Sequence, residues 1–205
     1  MTLDRDLMQT IIARYPRSRS AIMPLLHYVQ SVSGYVTSEG IETISEILNI
    51  ETAEVSAVAT FYTQYKRKPV GEYHVGVCTH TLCAVMGGDA IFSALKEHLG
   101  IENDGVTADG KVSLEHIECN AACDYAPVVM ANWEFYDNQT VESAKSLVDG
   151  ARAGNPPAPT RGPNKLVTYK EASAVLAGLD DGLAREGVQA GGPTLLGLKL
   201  SKEGK

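Results

Sequence analysis

Four cysteines stand in two close pairs, Cys78-x4-Cys83 and Cys119-x3-Cys123, with 35 residues between the pairs and no cysteine elsewhere in the chain of 205. Thiolates are soft metal ligands, and four of them gathered in one segment read as one four-ligand centre. Two chemistries take such a set. A [2Fe-2S] cluster needs two thiolates on each of two irons, so Cys78 and Cys83 would serve one iron and Cys119 and Cys123 the other. Structural zinc takes four thiolates on one ion, and its usual spacing of about two to four residues inside a pair admits both pairs. Spacing alone leaves both open.

Other cysteine chemistries do not fit. The plant-type ferredoxin pattern needs a third cysteine at the position of Met86, and bacterial C-x2-C runs are absent. A Rieske site is hinted at by Cys78-Thr79-His80 but fails at Ala122, where its second histidine would stand. A dithiol oxidoreductase needs C-x-x-C. His80 therefore reads as a loop histidine and His116 as a polar strand residue. Ala121, Ala122, Gly87 and Gly88 are small enough to let backbone N–H groups approach inorganic sulfide closely.

No other catalytic signature is present. There is no G-x-G-x-x-G after a strand, no Walker A loop and no G-x-S-x-G, so no NAD, flavin or nucleotide site and no substrate-binding catalytic site is expected on this chain. If it carries electrons, the donor and acceptor lie on other chains. The net charge of -7 offers no basic surplus to nucleic acid. No apolar stretch approaches a membrane span. The acidic N-terminus, Met1-Thr2-Leu3-Asp4-Arg5-Asp6, is unlike a signal or transit peptide, which places the chain in the reducing compartment where it is made and speaks against structural disulfides.

The elements that must position the thiols follow from periodicity. Residues 1–68 read as a helical bundle, with a weaker helix over 4–14 and apolar faces at Ile22/Leu25/Leu26/Val29, Ile41/Ile44/Leu48 and Val55/Val58/Phe61/Tyr62. Pro24 belongs in a first turn, and Thr37 or Ser38 is a candidate cap. Residues 69–150 read as β-α-β-β-α. A strand at Tyr73–Val77 runs into Cys78, and a helix follows from Gly87-Gly88-Asp89 to about Leu99. A strand at Val112/Leu114/His116 ends near Cys119. Val128–Ala131 and Trp133–Tyr136 are a further strand and its continuation or hairpin partner, and a helix follows from Thr140. Both cysteine pairs then lie in loops at strand ends, where sites collect. Residues 151–205 read as a Pro-rich linker, a short helix after the capping box Thr168-x-x-Glu171, and a Gly-rich tail whose Leu195, Leu196 and Leu198 suit docking on another protein.

Gly71-Glu72-Tyr73-His74-Val75-Gly76-Val77-Cys78-x4-Cys83, the 35-residue gap and Glu118-Cys119-Asn120-Ala121-Ala122-Cys123-Asp124-Tyr125-Ala126-Pro127 resemble the thioredoxin-like [2Fe-2S] ferredoxins. Within them the chain is most similar to the bacterial NADH-quinone oxidoreductase subunits that are counterparts of the 24-kDa subunit of complex I. Pro24-Leu25-Leu26-His27-Tyr28-Val29-Gln30 and Val58-Ala59-Thr60-Phe61-Tyr62-Thr63 resemble the N-terminal helices of that family, and the resemblance covers roughly residues 10–150.

The resemblance implies an α/β fold, a helical bundle followed by a thioredoxin-like domain with an extended C-terminal tail. It implies one [2Fe-2S] cluster on Cys78, Cys83, Cys119 and Cys123, exchanging single electrons with FMN on a partner subunit that also binds NADH. Other peripheral-arm subunits would be further partners. The chain would sit on the cytoplasmic side, peripheral to the inner face of the bacterial plasma membrane. The equivalent subunit of an NAD-linked hydrogenase or formate dehydrogenase shares the same module. A zinc-stabilised adaptor is the alternative of another class. One departure concerns the second loop. The family often reads Cys-Leu-Gly-Ala-Cys where this chain reads Cys-Asn-Ala-Ala-Cys, and Ala121 would be awkward there if its backbone needs positive φ.

Overall fold

The computed structural model describes residues 3–184 and 186–204. In chain order the elements are α1 (Arg5–Ile12), a 3-10 turn (Ser18–Ala21), α2 (Ile22–Ser33), α3 (Ser38–Leu48), α4 (Thr52–Phe61), β1 (Tyr73–Cys78), α5 (Thr81–Val85), α6 (Gly88–Leu99), β2 (Gly105–Val106), β3 (Val112–Ile117), a 3-10 turn (Cys123–Tyr125), β4 (Val129–Ala131), β5 (Glu134–Tyr136), α7 (Val141–Arg152), α8 (Tyr169–Leu176) and α9 (Gly192–Lys202). They form two compact units, Met1–Val70 with Val167–Asp181, and Gly71–Leu166 with Gly182–Lys205.

The first unit is helical. Pro24 sits in the first turn of α2, where its missing N–H costs nothing, and Thr37 caps α3 by accepting the N–H of Gly40 at 3.0 Å. The apolar faces of α1 to α4 close a core around Met8, Ile11, Leu25, Leu26, Val29, Ile41, Ile44 and Val55. The α4 stripe differs from expectation at its end. Val55 and Ala59 are buried, whereas Phe61 is 76% exposed and Tyr62 also faces outward. Phe61 is still helical but lies about 200° around the axis from Ala59, away from the buried face, and the chain leaves the helix at Tyr62, which has extended backbone.

The segment expected as a separate tail is divided by packing. α8 packs in the helical unit, with Tyr169 and Ser173 buried. The buried Gln30 side chain donates to the Gln64 carbonyl at 3.1 Å and to Ser173 Oγ at 3.3 Å, and accepts the Lys66 N–H at 2.8 Å. Burying an amide is tolerable only when it is satisfied in this way. Residues 182–205 belong to the second unit.

The second unit carries a five-stranded sheet in the order β2-β3-β1-β4-β5. β1 and β3 are parallel and in register from Tyr73 opposite Val112 to Cys78 opposite Ile117, and the other pairings are antiparallel. Val75, Val77, Leu114, Val129 and Ala131 build its core with Ile91 and Leu95 of α6 and Leu147 and Val148 of α7. Of the two readings open for Trp133–Tyr136, the hairpin partner of β4 is the one the fold adopts. Asn132 and Trp133 take positive φ (47° and 75°), as a two-residue hairpin turn requires. Two elements carry no clear periodic signal in the sequence: α5, little more than one turn between the first two cysteines and just beyond, and α9.

Candidate metal centre

The parallel register of β1 and β3 decides where the thiols go. Both strands end at the same end of the sheet, Cys78 closing β1 and Ile117 closing β3, and each hands the chain to a cysteine loop. Cys78 donates its backbone N–H to the Val128 carbonyl at 3.1 Å, tying the end of β1 to the segment that leaves the second loop. Cys83 lies on α5 and packs with Cys78. Cys78 and Cys83 are buried with Ala122, Ala126 and Val128, while Cys119 and Cys123 are exposed.

None of the four cysteines is joined in a disulfide, and their thiols influence one another. Burial pushes the Cys83 thiol up to about 11, opposed by a backbone hydrogen bond at Val128 and reinforced by Cys78 and Cys123. The Cys123 thiol is raised by its hydrogen-bonding neighbour Cys119, with burial, Cys78 and Asp124 adding to it. Cys83 thus interacts with Cys78 and Cys123, and Cys123 with Cys119 and Cys78, so thiols of both loops lie within electrostatic reach of one another.

Backbone surrounds them closely. A Cβ on Gly88 would lie 2.5 Å from the Cys78 carbonyl oxygen and 2.9 Å from that of Cys83, so only glycine fits where α6 begins. Ala121 holds φ at 55° and donates its N–H to Cys119 Sγ at 3.4 Å. The second loop therefore does need positive φ at this position, and alanine occupies it. His80 is an exposed residue at the start of α5, and His116 is exposed on β3 with its ring 6.2 Å from Phe92. Among the described residues, no three His, Cys, Asp or Glu side chains converge on a single ion position.

The surroundings of the thiols are not evident from sequence. Leu82, Val85 and Met86 on and after α5 are exposed apolar side chains beside the first pair, Val85 to 80%. They fall on or next to a five-residue helix, too short to show a period.

The sequence matches the thioredoxin-like [2Fe-2S] ferredoxin family over residues 8–152. The chain belongs to that family. It is 59% identical over 194 residues to an NADH-quinone oxidoreductase subunit of Mycobacterium bovis, covering 94% of this chain and 77% of that protein. It is 42% identical over 150 residues to the identically named protein of Rickettsia bellii, covering 72% and 90%. Among solved structures the fold is similar to a chain of an NAD+-reducing [NiFe]-hydrogenase, with a TM-score of 0.59 at 20% identity. That match covers 66% of this chain and 23% of the hydrogenase chain. The thioredoxin-like [2Fe-2S] fold with helices in its N-terminal part is therefore the fold of this family member. No described helix is long and apolar enough to cross a membrane.

Proposed function

We propose that this chain is the one-electron carrier of an NADH-quinone oxidoreductase, holding one [2Fe-2S] cluster on Cys78, Cys83, Cys119 and Cys123. The observation that supports the ligand assignment is the parallel register of β1 and β3, which brings both cysteine loops out at the same end of the sheet with Ala122 of the second loop packed against Cys78 and Cys83. The family match favours the binuclear centre over zinc. A binuclear cluster takes two thiolates per iron, whereas a lone zinc ion draws four to one point. The identity to the mycobacterial protein over nearly the whole chain supports the assembly. The hydrogenase likeness concerns fold and gives no ground for a hydrogenase role.

When bound, the cluster supplies reversible one-electron chemistry. The protein contributes the four sulfurs, an N–H from Ala121 to Cys119, and the close cover of Gly88 over the first pair. Hydrogen bonds and burial at the sulfurs are the means by which such a protein sets a potential. The exposed side, at Cys119 and Cys123, is the side from which an electron partner approaches. That partner is the FMN- and NADH-binding subunit, and Leu82, Val85 and Met86 are the apolar side chains it would cover. Leu195, Leu196 and Leu198 of α9 give a second apolar surface for the same complex, whose other peripheral-arm subunits are further partners. The chain itself contributes no substrate-binding catalytic site and works at the inner face of the plasma membrane.

The purified chain, reconstituted with iron and sulfide, should be red-brown and should bleach with dithionite. Each of the four Cys→Ser variants should lose or strongly perturb that spectrum, because a serine oxygen is a poorer donor to iron than a thiolate. A colourless zinc-containing protein, or a Cys119→Ser variant with the wild-type spectrum, would overturn the assignment. Co-purification with a flavoprotein subunit tests the assembly.

A further inference from the structure

The Pro-rich segment after α7 lies against the second cysteine loop. Arg161, in its middle, pairs with β5 through an isolated bridge to Phe135. Its guanidinium sits 4.0 Å from the centre of the Phe135 ring and 5.0 Å from that of Tyr125. Its Nη2 donates to Asp137 Oδ1 at 3.1 Å, and its Nε lies 3.0 Å from Asp137 Oδ2 as an ionic contact, so one hydrogen bond and one charge contact reach a buried carboxylate. The neighbouring Thr160 hydroxyl donates to the same carboxylate at 2.9 Å. Arg161 thus has one side chain committed to three partners, and one of them, Tyr125, closes the 3-10 turn that begins at Cys123.

Tyr125 is held from other directions too. Its carbonyl accepts the Asn138 N–H at 2.8 Å. Its hydroxyl lies so close to Gly191 that a Cβ there would come within 2.2 Å of it. Gly162, next to Arg161, donates its N–H to the Val188 carbonyl at 2.8 Å, so the linker and the C-terminal segment are joined where they cross Tyr125.

We infer that Arg161 is a positioning residue for the second ligand pair, acting through Tyr125 to hold the Cys119–Cys123 loop at the end of the sheet where β1 and β3 finish. This rests on the ligand assignment proposed above. The effect is one of position and not of field. The guanidinium charge is matched by Asp137, and a neutralised pair projects little potential onto the sulfurs. A planar guanidinium stacked on two rings while it donates to a carboxylate is also a geometry that lysine cannot reproduce. Exposed ligands on a short loop keep a cluster only while the loop keeps its shape.

The test uses the full chain reconstituted with iron and sulfide, and follows loss of visible absorbance under excess EDTA alongside the visible circular dichroism. Arg161→Ala should lose its chromophore at least about ten-fold faster than wild type, with altered visible dichroism, and Arg161→Lys should fall between them. Tyr136→Phe is the control, because it removes the 2.7 Å hydrogen bond from Tyr136 to the Pro157 carbonyl and loosens the same segment away from Tyr125. It should keep the wild-type dichroism. An unchanged rate in Arg161→Ala, or an equal effect from Tyr136→Phe, overturns the role of Arg161. If Arg161→Ala does not fold, Tyr125→Leu removes the other half of the stack, and an unchanged rate there overturns the inference too. A wild-type chain with no chromophore sinks the ligand assignment beneath it.

Discussion

The backbone N–H of Ala121 points at the sulfur of Cys119, 3.4 Å away, from a residue held at φ 55°. A left-handed conformation costs an L-residue roughly 1–2 kcal/mol, so this loop keeps a strained alanine to aim a donor at a thiol. Ala121→Gly should remove that strain while the N–H stays in place. The gain is offset by the extra freedom of glycine in the unfolded chain, so stability should change by less than about 1 kcal/mol. Ala121→Val adds a β-branched side chain at the same φ and should cost at least about 1–2 kcal/mol. Urea denaturation of the two variants checks the order, and a Val variant as stable as Gly would contradict the left-handed assignment.

Gly88 makes the opposite kind of demand. Its Cα hydrogen faces two carbonyl oxygens of the first pair, and a methyl group cannot enter without moving backbone. Gly88→Ala should therefore cost about 1–3 kcal/mol, typical of overpacking a filled site. The displacement falls on Cys78 and Cys83 themselves, so the iron content per chain should drop as well. Gly87→Ala is a useful contrast. A Cβ there meets nothing within 4 Å, and its penalty comes only from φ of 114°. Iron analysis of the two variants separates crowding at the ligands from backbone strain beside them.

His27 gives a pH dependence confined to the helical unit. The ring is buried, 4.7 Å from the Tyr65 ring, and its Nδ1 has no hydrogen-bond partner among the described residues. Burial lowers its pKa from 6.5 to about 4. Above pH 6.5 the ring is neutral whether folded or not, and stability is unaffected. Between pH 6.5 and 4 the unfolded chain takes up a proton that the folded one refuses, so stability falls with pH, by about 3 kcal/mol in all. Amide exchange in α2 at pH 7.5, 6 and 5 should show the decline, and His27→Phe should flatten it.

Much of this is legible in the sequence because it rests on local signals. Thr37 and Thr168 announce their helices by capping chemistry, and Ile22/Leu25/Leu26/Val29 by period. The four cysteines announce the site by type and spacing, and the strands that deliver them by alternation. What cannot be read depends on distant pairing. Nothing in Pro-Pro-Ala-Pro-Thr-Arg marks Arg161 as the partner of Asp137, since a linker has no period. Nothing in Ser173 reveals that it belongs with Gln30, more than a hundred residues away. Phe61 and Tyr62 mislead because they prolong an apolar run while Phe61 points off the buried face of α4 and Tyr62 has already left the helix.

That departure makes a sharp comparison within one unit. Ile44 is fully buried and Phe61 largely exposed. Ile44→Ala should destabilise the helical unit by about 2–5 kcal/mol, the usual cost of a core truncation. Phe61→Ser should change stability by no more than about 0.5 kcal/mol, although it removes the larger apolar side chain. Its effect should appear instead in recovery of the assembled complex, if the exposed Phe61 ring is covered by a partner. Thermal melts of the isolated chain, set beside the yield of the complex, distinguish the two residues.

The division of the C-terminal region between the units predicts that two truncations differ in kind. Ending the chain at Asp181 removes α9 and the segment that crosses Tyr125, but leaves α8, Arg161 and all four cysteines. The helical unit should melt as before and the visible spectrum should remain, while recovery with the flavoprotein subunit falls because Leu195, Leu196 and Leu198 are gone. Removing residues 163–205 also takes Tyr169, whose side chain is buried, and Ser173, which accepts from Gln30. Loss of a buried aromatic costs about 3–5 kcal/mol even as a single substitution, so this deeper cut should destabilise the helical unit strongly. Amide exchange in α2 reads the difference. Equal protection in the two truncated chains would mean that α8 contributes nothing to the bundle, against the burial of Tyr169 and Ser173.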